Sequence, residues 1–236
     1  MRVRSLHPWN VSPREAMAIQ LKLRPRLRLD GGGPFATVAG IDVSYDEASH
    51  LMFAGVVVMS GDGRQELETV TASIRSRFPY IPGLLSFREA PAVIKAWTKL
   101  RTLPGCLICD GHGLAHPRRF GIACHLGVLL DLPSIGCAKS LLVGTHGMPR
   151  TRRGSVEPLL DRGEQIGAVV RTRHGVAPVF VSQGHRISLT AAVQTVLDIF
   201  GGYRLPEPTR RAHLLVNEAR RLAKARKRPV LERGGR

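Results

Sequence analysis

The chain has 236 residues, enough for one large domain, and 43% of them are hydrophobic, enough for a buried core. Its formal net charge is +17 and arginine dominates the basic residues, which favours a polyanionic partner and above all nucleic acid. No apolar run is long enough to span a bilayer, and residues 1–20 lack the apolar stretch of a secretory signal, so we expect a cytoplasmic protein.

The first part of the chain predicts one helix followed by three strands. A helix is indicated from Pro13 to about Leu23, and the glycine-rich run from Asp30 to Pro34 then breaks the chain. A hairpin-type turn is predicted at Asp62-Gly63. Apolar runs predict strands at Thr37 to Val43, Leu51 to Met59 and Gln65 to Ile74.

The rest of the chain alternates helices with strands. Pro79 to Gly83 cannot be regular structure, because its prolines fix φ and lack a backbone donor. Helices are predicted at Leu84 to Leu100, interrupted early by Pro91, at Phe120 to Leu130, at Leu189 to Phe200 and from Thr209 onward. Strands are predicted at Cys106 to Asp110, Ser134 to Cys137, Gln165 to Arg171 and Val179 to Val181, and an exposed loop at Gly144 to Gly154.

This order of elements is typical of an α/β fold with a mixed β-sheet flanked by helices. We find no internal repeat and no linker, so the sequence predicts one domain over residues 1–236. The end of the chain is strongly basic, and we expect the last helix to run into a basic tail from about Arg220.

Four cysteines are present, two of them with CxxC spacing: Cys106, Cys109, Cys124 and Cys137. There is no second CxxC pair, and the first pair lies in an apolar run typical of a buried strand. We therefore expect reduced core residues in place of a zinc or redox site.

Two aspartates each end an apolar strand in the prediction, Asp42 and Asp110. If those strands are parallel neighbours, both carboxylates emerge at the sheet edge where ligands bind in open α/β sheets. Carboxylates held close together need a positive charge between them, and Mg²⁺ is the usual solution. Glu89, early in the next helix, could supply a third oxygen. The alternative for any single aspartate is an ordinary turn cap.

Three histidines raise the possibility of zinc: His112, His116 and His125. No HExxH motif is present and their spacing fits no closed tetrahedral site, so we do not favour zinc. The run His116-Pro117-Arg118-Arg119 fits better as a loop that contacts phosphate or a base, the alternative being a solvated turn.

A rigid apolar segment, Pro79-Tyr80-Ile81-Pro82-Gly83, has the composition needed to push between stacked bases. An enzyme that inspects a base must extrude it and fill the gap. The alternative is a buried loop with Tyr80 packed on the core. Lys139 follows a strand and could stabilise charge on a scissile phosphate, or could be a surface lysine.

In combination these segments resemble the endonuclease V family. The resemblance spans roughly residues 37 to 213, and the Pro-Tyr-Ile-Pro and Arg-Leu-Pro-Glu-Pro-Thr-Arg runs are its most specific parts. It does not extend to the N-terminal arm around His7-Pro8-Trp9 or to the tail after Arg220. The matching motifs are Gly40 to Val43, Pro79 to Glu89, Asp110 to Gly113, His116 to Arg119, Cys137 to Lys139, Gly184 to Arg186 and Tyr203 to Arg210.

The resemblance implies a ribonuclease H-like fold and a DNA repair endonuclease. Such an enzyme hydrolyses the second phosphodiester bond 3′ to a deaminated purine, typically hypoxanthine, and leaves 3′-hydroxyl and 5′-phosphate ends. By position, the resemblance makes Asp42, Glu89 and Asp110 the catalytic and metal-binding residues, with His213 as a further metal-linked group. It makes Lys139 a catalytic lysine and Tyr80 the wedge, the residue that is inserted between stacked bases. It places the extruded base among Gly83, Leu85, Gly111, His116, Ile122, Gly136, Ser140 and Leu142.

We expect Mg²⁺ as the cofactor, with Mn²⁺ as a possible substitute, and a monomer that binds deoxyinosine-containing DNA and no membrane. One alternative is an inosine-specific endoribonuclease, which differs in its tolerance of the 2′-hydroxyl. Another is a non-catalytic nucleic-acid-binding protein of the same fold. Loss of any of the three carboxylates would favour that second alternative, and all three are present.

Overall fold

A nine-stranded mixed sheet forms the centre of the structure, a computed structural model that describes residues 2–199 and 201–226. The strands are β1 (Thr37–Asp46), β2 (Leu51–Ser60), β3 (Glu66–Arg75), β4 (Cys106–Cys109), β5 (Ser134–Ala138), β6 (Thr145–His146), β7 (Val156–Asp161), β8 (Glu164–Val170) and β9 (Val179–His185). The α-helices are α1 (Pro13–Leu23), α2 (Leu85–Trp97), α3 (Ile122–Leu130), α4 (Leu189–Asp198) and α5 (Glu207–Arg226). The predicted α/β class with a mixed sheet is confirmed.

The strand order is β3-β2-β1-β4-β5-β9-β8-β7-β6. Strands β1 to β3 form an antiparallel meander, and β5 to β9 continue the sheet with antiparallel pairs. Between these two parts, β4 pairs in parallel with both β1 and β5. The parallel pairs bring the carboxyl ends of β1, β4 and β5 towards one edge of the sheet.

Helices cover both faces of the sheet, and the alternation of side chains along β1 shows how. Ala39 and Ile41 pack with α2 and α3 on one face, whereas Val38 packs with the cluster that includes α4 and α5 on the other. Because successive side chains of a strand point to opposite faces, Asp42 lies on the α5 face. The same parity places Asp110, which follows β4, on that face too.

Helix α1 forms as the sequence predicts, and its start is capped. Ser12 and Glu15 make a capping box, in which the Ser12 side chain accepts from the Glu15 backbone and Glu15 accepts from the Ser12 backbone. The arm before α1, residues 2–11, lies against the domain through a hydrogen bond of 2.8 Å from Arg4 N to Leu129 O and through Trp9, which is partly buried and packs against the core. The arm is therefore an integral part of the fold.

Some predicted boundaries are wrong. Pro91 lies inside α2 without interrupting it, because burial of Ala90, Val93 and Trp97 offsets the lost backbone hydrogen bond. Two strands were not predicted. The short strand β6 lies within the predicted loop from 144 to 154, and strand β7 follows that loop. Strand β7 contains Pro158 and buries little more than Leu159, so its pattern is weak.

The last helix is longer than the sequence suggests. It begins at Glu207 and continues to Arg226, so residues 220–226 are helical where a tail was predicted. Contacts hold these turns to the sheet: Arg220 donates to Tyr45 O at 3.3 Å and Lys224 pairs with Asp46 at 2.9 Å. The remainder of the predicted tail, residues 227–236, lies outside the described residues.

All four cysteines are buried and carry free thiols, which confirms their prediction as core residues. No helix within the described part of the chain combines the length and the apolar character needed to cross a membrane.

A close backbone approach at Gly40 fixes α5 against β1. A Cβ atom added to Gly40 would lie 2.1 Å from the carbonyl carbon of Pro208 and 2.3 Å from Thr209 N. These are backbone atoms, which cannot rotate away. Only glycine at position 40 therefore allows the start of α5 to lie directly on the strand that carries Asp42.

We predict that Gly40→Ala lowers the free energy of unfolding by about 1–3 kcal/mol, the usual cost of forcing extra atoms into a packed site. Thermal or denaturant unfolding measures the loss. Gly147→Ala is the matched control, because the nearest atom to its added Cβ is the mobile end of Glu157 at 3.2 Å. Equal stability of the two variants would show that α5 is free to shift away from β1.

Candidate active site

The two predicted aspartates lie at the point where the parallel ladder between β1 and β4 ends. The last paired residues are Ile41 and Cys109, so Asp42 and Asp110 follow them side by side. Asp110 N still donates to Ile41 O at 3.4 Å. Each side chain is only 12% exposed. The structure therefore brings the two carboxyl groups together at the predicted edge.

One detail of the prediction needs correction. Asp42 does not end its strand, because β1 continues to Asp46 through its antiparallel pairing with β2. It marks the residue at which β1 loses its other neighbour. That exposes one side of the strand to the site while the other side stays paired.

Glu89, on α2, is electrostatically coupled to both aspartates. Its pKa is raised to about 8, first by burial and then by the negative charges of Asp42 and Asp110. Burial also raises the pKa of Asp42, and the neighbouring Asp110 charge adds to this effect. The three carboxyl groups lie close enough together that the ionisation of one disfavours the ionisation of the others. Glu89 therefore holds a proton at neutral pH.

Two nitrogen-bearing side chains contact these aspartates. Lys139 Nζ lies 2.6 Å from the Asp110 carboxylate, and His213 Nδ1 lies 2.8 Å from Asp42 Oδ2. The second ring nitrogen of His213 lies 3.0 Å from Asn217 Nδ2, so both of its nitrogens are engaged. The hydrogen bond from His213 partly counters the rise in the pKa of Asp42.

The oxygen-rich donor set of Asp42, Glu89 and Asp110 fits a hard divalent cation better than zinc or copper. Across residues 2–199 and 201–226, no three Asp, Glu, His or Cys side chains already lie close enough to enclose a metal ion. Proton uptake by Glu89 and the ion pair of Lys139 with Asp110 offset the negative charge of the carboxylates. A divalent cation is the species that could replace both.

Lys139 is held in place by an arginine that the sequence prediction assigned no part. Arg204 Nη2 donates to Lys139 O at 2.5 Å and to Pro178 O at 2.9 Å. Thr172 Oγ1 in turn donates to Arg204 O at 2.6 Å. In the sequence, Arg204 stood out only as a member of the motif from Tyr203 to Arg210. Its contacts show that it supports the backbone of Lys139.

The same motif anchors the start of α5. Glu207 accepts from Arg210 at 2.6 Å and from Arg211 at 2.9 Å, and Pro208 lies on Gly40. Two turns further along α5, His213 reaches Asp42. One short segment therefore supports the lysine on one side of the carboxylates and the histidine on the other.

A cavity of about 250 Å³ opens beside Asp110. Besides Asp110, it is lined by Gln20, Tyr80, Ile81, Pro82, Gly83, Leu85, Ser86, Gly111, His112, His116, Gly121, Ile122, Ala138, Ser140, Leu141 and Leu142. All the residues predicted to surround a substrate line it except Pro79 and Gly136. The prediction assigned no part in the cavity to Gln20, which lies outside the matching motifs, or to Ser86 and His112, which lie within them.

The two exceptions lie just outside the cavity. Pro79 lines a neighbouring surface depression together with Trp9 and Arg88. Gly136 lies beneath the turn that forms the cavity wall, where an added Cβ would be 2.3 Å from Gly113 N. Gly136 therefore supports the turn at Gly111 to Gly113 and does not face the cavity.

Tyr80 stands at the rim of the cavity and is 69% exposed. This exposure excludes the alternative of a tyrosine packed on the core. Its loop is held from behind, since Gly83 O accepts from Gln20 Nε2 at 3.0 Å and from Arg118 Nη2 at 2.7 Å. An exposed ring on a braced loop can press against a flat partner.

The histidine and arginine run from 116 to 119 is a buried brace, and the alternative of a solvated turn is wrong. His116 Nε2 lies 2.9 Å from Gly83 O, and burial lowers its pKa to about 4. Arg119 is buried and pairs with Asp161 at 2.7 Å and Glu164 at 2.8 Å. Within the described residues, the one buried side-chain polar atom that lacks a partner is His112 Nδ1.

Comparison with known proteins gives consistent matches along most of the chain. The family model described as Endonuclease V matches residues 15–214. A protein named Endonuclease V from Roseiflexus sp. is 55% identical over 214 residues, which cover 90% of this chain and 96% of the relative.

Solved structures show the same ribonuclease H-like fold. That of Endonuclease V from Streptomyces avermitilis has a TM-score of 0.88 and 43% identity, covering 95% of this chain and all of the other. Endonuclease V from Ciona intestinalis, in complex with a 23-mer DNA containing an inosine followed by a ribo-adenosine, has a TM-score of 0.80 and 25% identity. That match covers 90% of this chain and all of the other.

The raised pKa of Glu89 predicts a pH-dependent loss of stability. A carboxyl group whose pKa is higher in the folded than in the unfolded state favours unfolding as pH rises from about 4.5 to about 8. Glu89→Gln removes this effect, so without divalent metal it should melt higher than wild type at pH 8. A gain of only about 1 kcal/mol would raise the midpoint by about 2–4 °C.

Thermal melts of both proteins between pH 5 and pH 8.5 measure this difference. Glu157→Gln, a glutamate away from the carboxylate group, is the control and should follow wild type. A difference between Glu89→Gln and wild type that stays constant with pH would contradict the coupling.

Proposed function

Because the chain belongs to the endonuclease V family, we propose that it is a DNA repair endonuclease that cuts near hypoxanthine. It hydrolyses the second phosphodiester bond 3′ to the deaminated base and leaves 3′-hydroxyl and 5′-phosphate ends. The observation that carries this proposal is the position of Asp110, beside Asp42, in the lining of a cavity that Tyr80 also lines. The Ciona intestinalis neighbour binds DNA containing inosine, which supports this substrate.

We propose Mg²⁺ as the physiological cofactor, with Mn²⁺ as a substitute. Asp42, Glu89 and Asp110 would hold it. When bound, such an ion lowers the pKa of a bound water and offsets negative charge on the phosphate. The work of the protein is to keep the three carboxylates together. The cost of that arrangement is visible in the raised pKa values of Asp42 and Glu89.

Lys139 and His213 take different parts in this proposal. Lys139 has a partly exposed ammonium beside Asp110 and stabilises the negative charge that builds on the scissile phosphate. His213 is linked to the metal through Asp42, whose carboxylate it orients, since both of its ring nitrogens are engaged.

The cavity takes the extruded base, and the segment Pro79 to Gly83 fills the gap left in the stack. Its volume of about 250 Å³ and its glycines, including Gly83 and Gly111, suit a flat ring in close contact with backbone groups. The ring of Tyr80 can replace the lost stacking, because it is exposed and its loop is braced.

RNA cleavage is the second candidate, and one observation favours it. The DNA bound to the Ciona intestinalis neighbour carries a ribo-adenosine directly after the inosine. An inosine-specific endoribonuclease would use the same carboxylates and differ only in contacts to the 2′-hydroxyl. A non-catalytic binding protein is disfavoured, because all three carboxylates are in place. We further propose that residues 1–236 act as one monomeric domain in the cytoplasm, which suits the four free thiols.

Asp110→Asn should abolish cleavage while the protein stays folded, because the amide keeps the shape of the side chain and loses its charge. Labelled strands with one hypoxanthine, one uracil or no lesion, as DNA and as RNA, are incubated with Mg²⁺ or Mn²⁺ and the cut is mapped. Added Mg²⁺ should raise the melting temperature of wild type but not of Asp110→Asn. The control Asp62→Asn lies in a surface turn and should behave as wild type. Normal turnover of Asp110→Asn would refute the carboxylate assignment.

Tyr80→Ala should lower the cleavage of hypoxanthine in duplex DNA by about ten- to a hundredfold, since stacking on an aromatic ring is worth roughly 1–3 kcal/mol. Single strands should lose less, because less stacking has to be replaced. Tyr80→Phe keeps the ring and is the matched control. The measurement is the ratio of duplex to single-strand cleavage rates, and equal losses on both substrates would argue against a wedge.

A further inference from the structure

A chain of hydrogen-bonded side chains connects the N-terminal arm to the wall of the cavity. His7 Nδ1 lies 2.8 Å from Pro8 O, and His7 Nε2 lies 2.7 Å from His125 Nε2. His125 Nδ1 lies 3.0 Å from Ser86 Oγ. Ser86 is 2% exposed and belongs to the cavity lining. The chain therefore starts at an exposed carbonyl and ends at the place proposed for the extruded base.

The imidazole rings of His7 and His125 are both neutral. His125 is fully buried among the rings of Trp9, Phe87 and Phe120. Burial lowers the pKa of His125 far below its usual range and also lowers the pKa of His7. Two charged rings could not share a contact of 2.7 Å. Because burial lowers the pKa of both rings from the ordinary value of 6.5, each ring is neutral at neutral pH and carries one N–H group and one lone pair.

The Pro8 carbonyl fixes the direction of every bond in the chain. A carbonyl oxygen can only accept, so His7 carries its hydrogen on Nδ1 and presents a lone pair on Nε2. His125 must then donate from Nε2, which leaves a lone pair on its Nδ1. The Ser86 hydroxyl donates to that lone pair.

This direction decides what Ser86 can offer a ligand. Its only hydrogen is committed to His125, and within the described part of the chain Ser86 Oγ has no other hydrogen-bond partner. Only lone pairs of the oxygen remain for the cavity. The side chain of Gln20, which also lines the cavity, is engaged in hydrogen bonds within the protein. It donates to Gly83 O and Phe120 O and accepts from Arg118.

We propose that Ser86 is a specificity-determining residue that accepts a hydrogen bond from a ring N–H of the extruded base, with His125 and His7 as positioning residues that fix its polarity. The inference rests on the proposed function. Deamination of adenine converts N1 from an acceptor into an N–H donor, and this change is what an acceptor-only serine can detect. Adenine would place a lone pair against the lone pairs of Ser86 and would be disfavoured.

The test compares two single-stranded DNA substrates that differ only in the target base, hypoxanthine or unsubstituted purine. Unsubstituted purine has a lone pair on N1 and no N–H. The quantity measured is the ratio of kcat/KM for hypoxanthine to kcat/KM for purine. In Ser86→Ala this ratio should fall about two- to tenfold, the effect of one neutral hydrogen bond. Ser86→Thr keeps a hydroxyl and should retain the ratio.

A second variant tests whether His7 fixes the direction of the hydrogen bond between His125 and Ser86. His7→Phe removes the acceptor for His125 Nε2, so His125 can carry its hydrogen on Nδ1 and donate to Ser86. The hydroxyl hydrogen is then free to point into the cavity, and the same ratio should fall although residue 7 does not line the cavity. The double variant should lose no more than Ser86→Ala alone. His174→Phe, an exposed histidine elsewhere, is the control and should keep the ratio.

The outcomes separate the inference from the function on which it rests. A wild-type protein that cuts hypoxanthine strands, with an unchanged ratio in a folded Ser86→Ala, overturns the inference and leaves the proposed function standing. A merely structural role of Ser86 or His7 would lower both rates together, which also leaves the ratio unchanged. A wild-type protein that fails to cut hypoxanthine strands in Mg²⁺ or Mn²⁺ overturns the proposed function itself.

Discussion

The repulsion between Asp42 and Asp110 is the constraint on which the rest of the site depends. Parallel pairing of β1 with β4 sets the two carboxyl groups side by side, and burial removes much of the water that would otherwise screen them. The surroundings respond to this charge: Glu89 retains a proton, Lys139 pairs with Asp110, and His213 binds Asp42. Carboxylates held close together need a positive charge between them, so this arrangement is what the proposed metal site requires.

Support for the site comes from parts of the chain that are far apart in sequence. The motif around Arg204 holds the backbone of Lys139 and also sets the start of α5, while the N-terminal arm reaches the cavity wall through His125. Helices α2 and α5 approach the sheet from opposite faces, and each contributes one group to the carboxylates. The geometry of the site is therefore held by contacts between segments that lie far apart in the sequence.

Local patterns allowed much of this to be predicted, because apolar runs that end in Asp42 and Asp110 and a proline-bounded Tyr80 are visible within a few residues. The resemblance to a family then supplied the roles. Contacts between distant segments were out of reach: nothing near Arg204 indicates that it binds the Lys139 carbonyl, and nothing near Ser86 indicates a histidine beneath it. Pro91 misled the prediction because local propensity was outweighed by tertiary packing of its helix.

The buried cysteines have a consequence for the conditions under which such a protein works. Burial raises the pKa of the thiols at Cys106, Cys109, Cys124 and Cys137, so none of them carries appreciable thiolate at neutral pH. Thiolates are the form that nitrosating and oxidising agents attack. Nitrosation is also a chemical route by which adenine becomes hypoxanthine. The protein is therefore shielded, at its own most reactive side chains, from the reagents that create its proposed substrate.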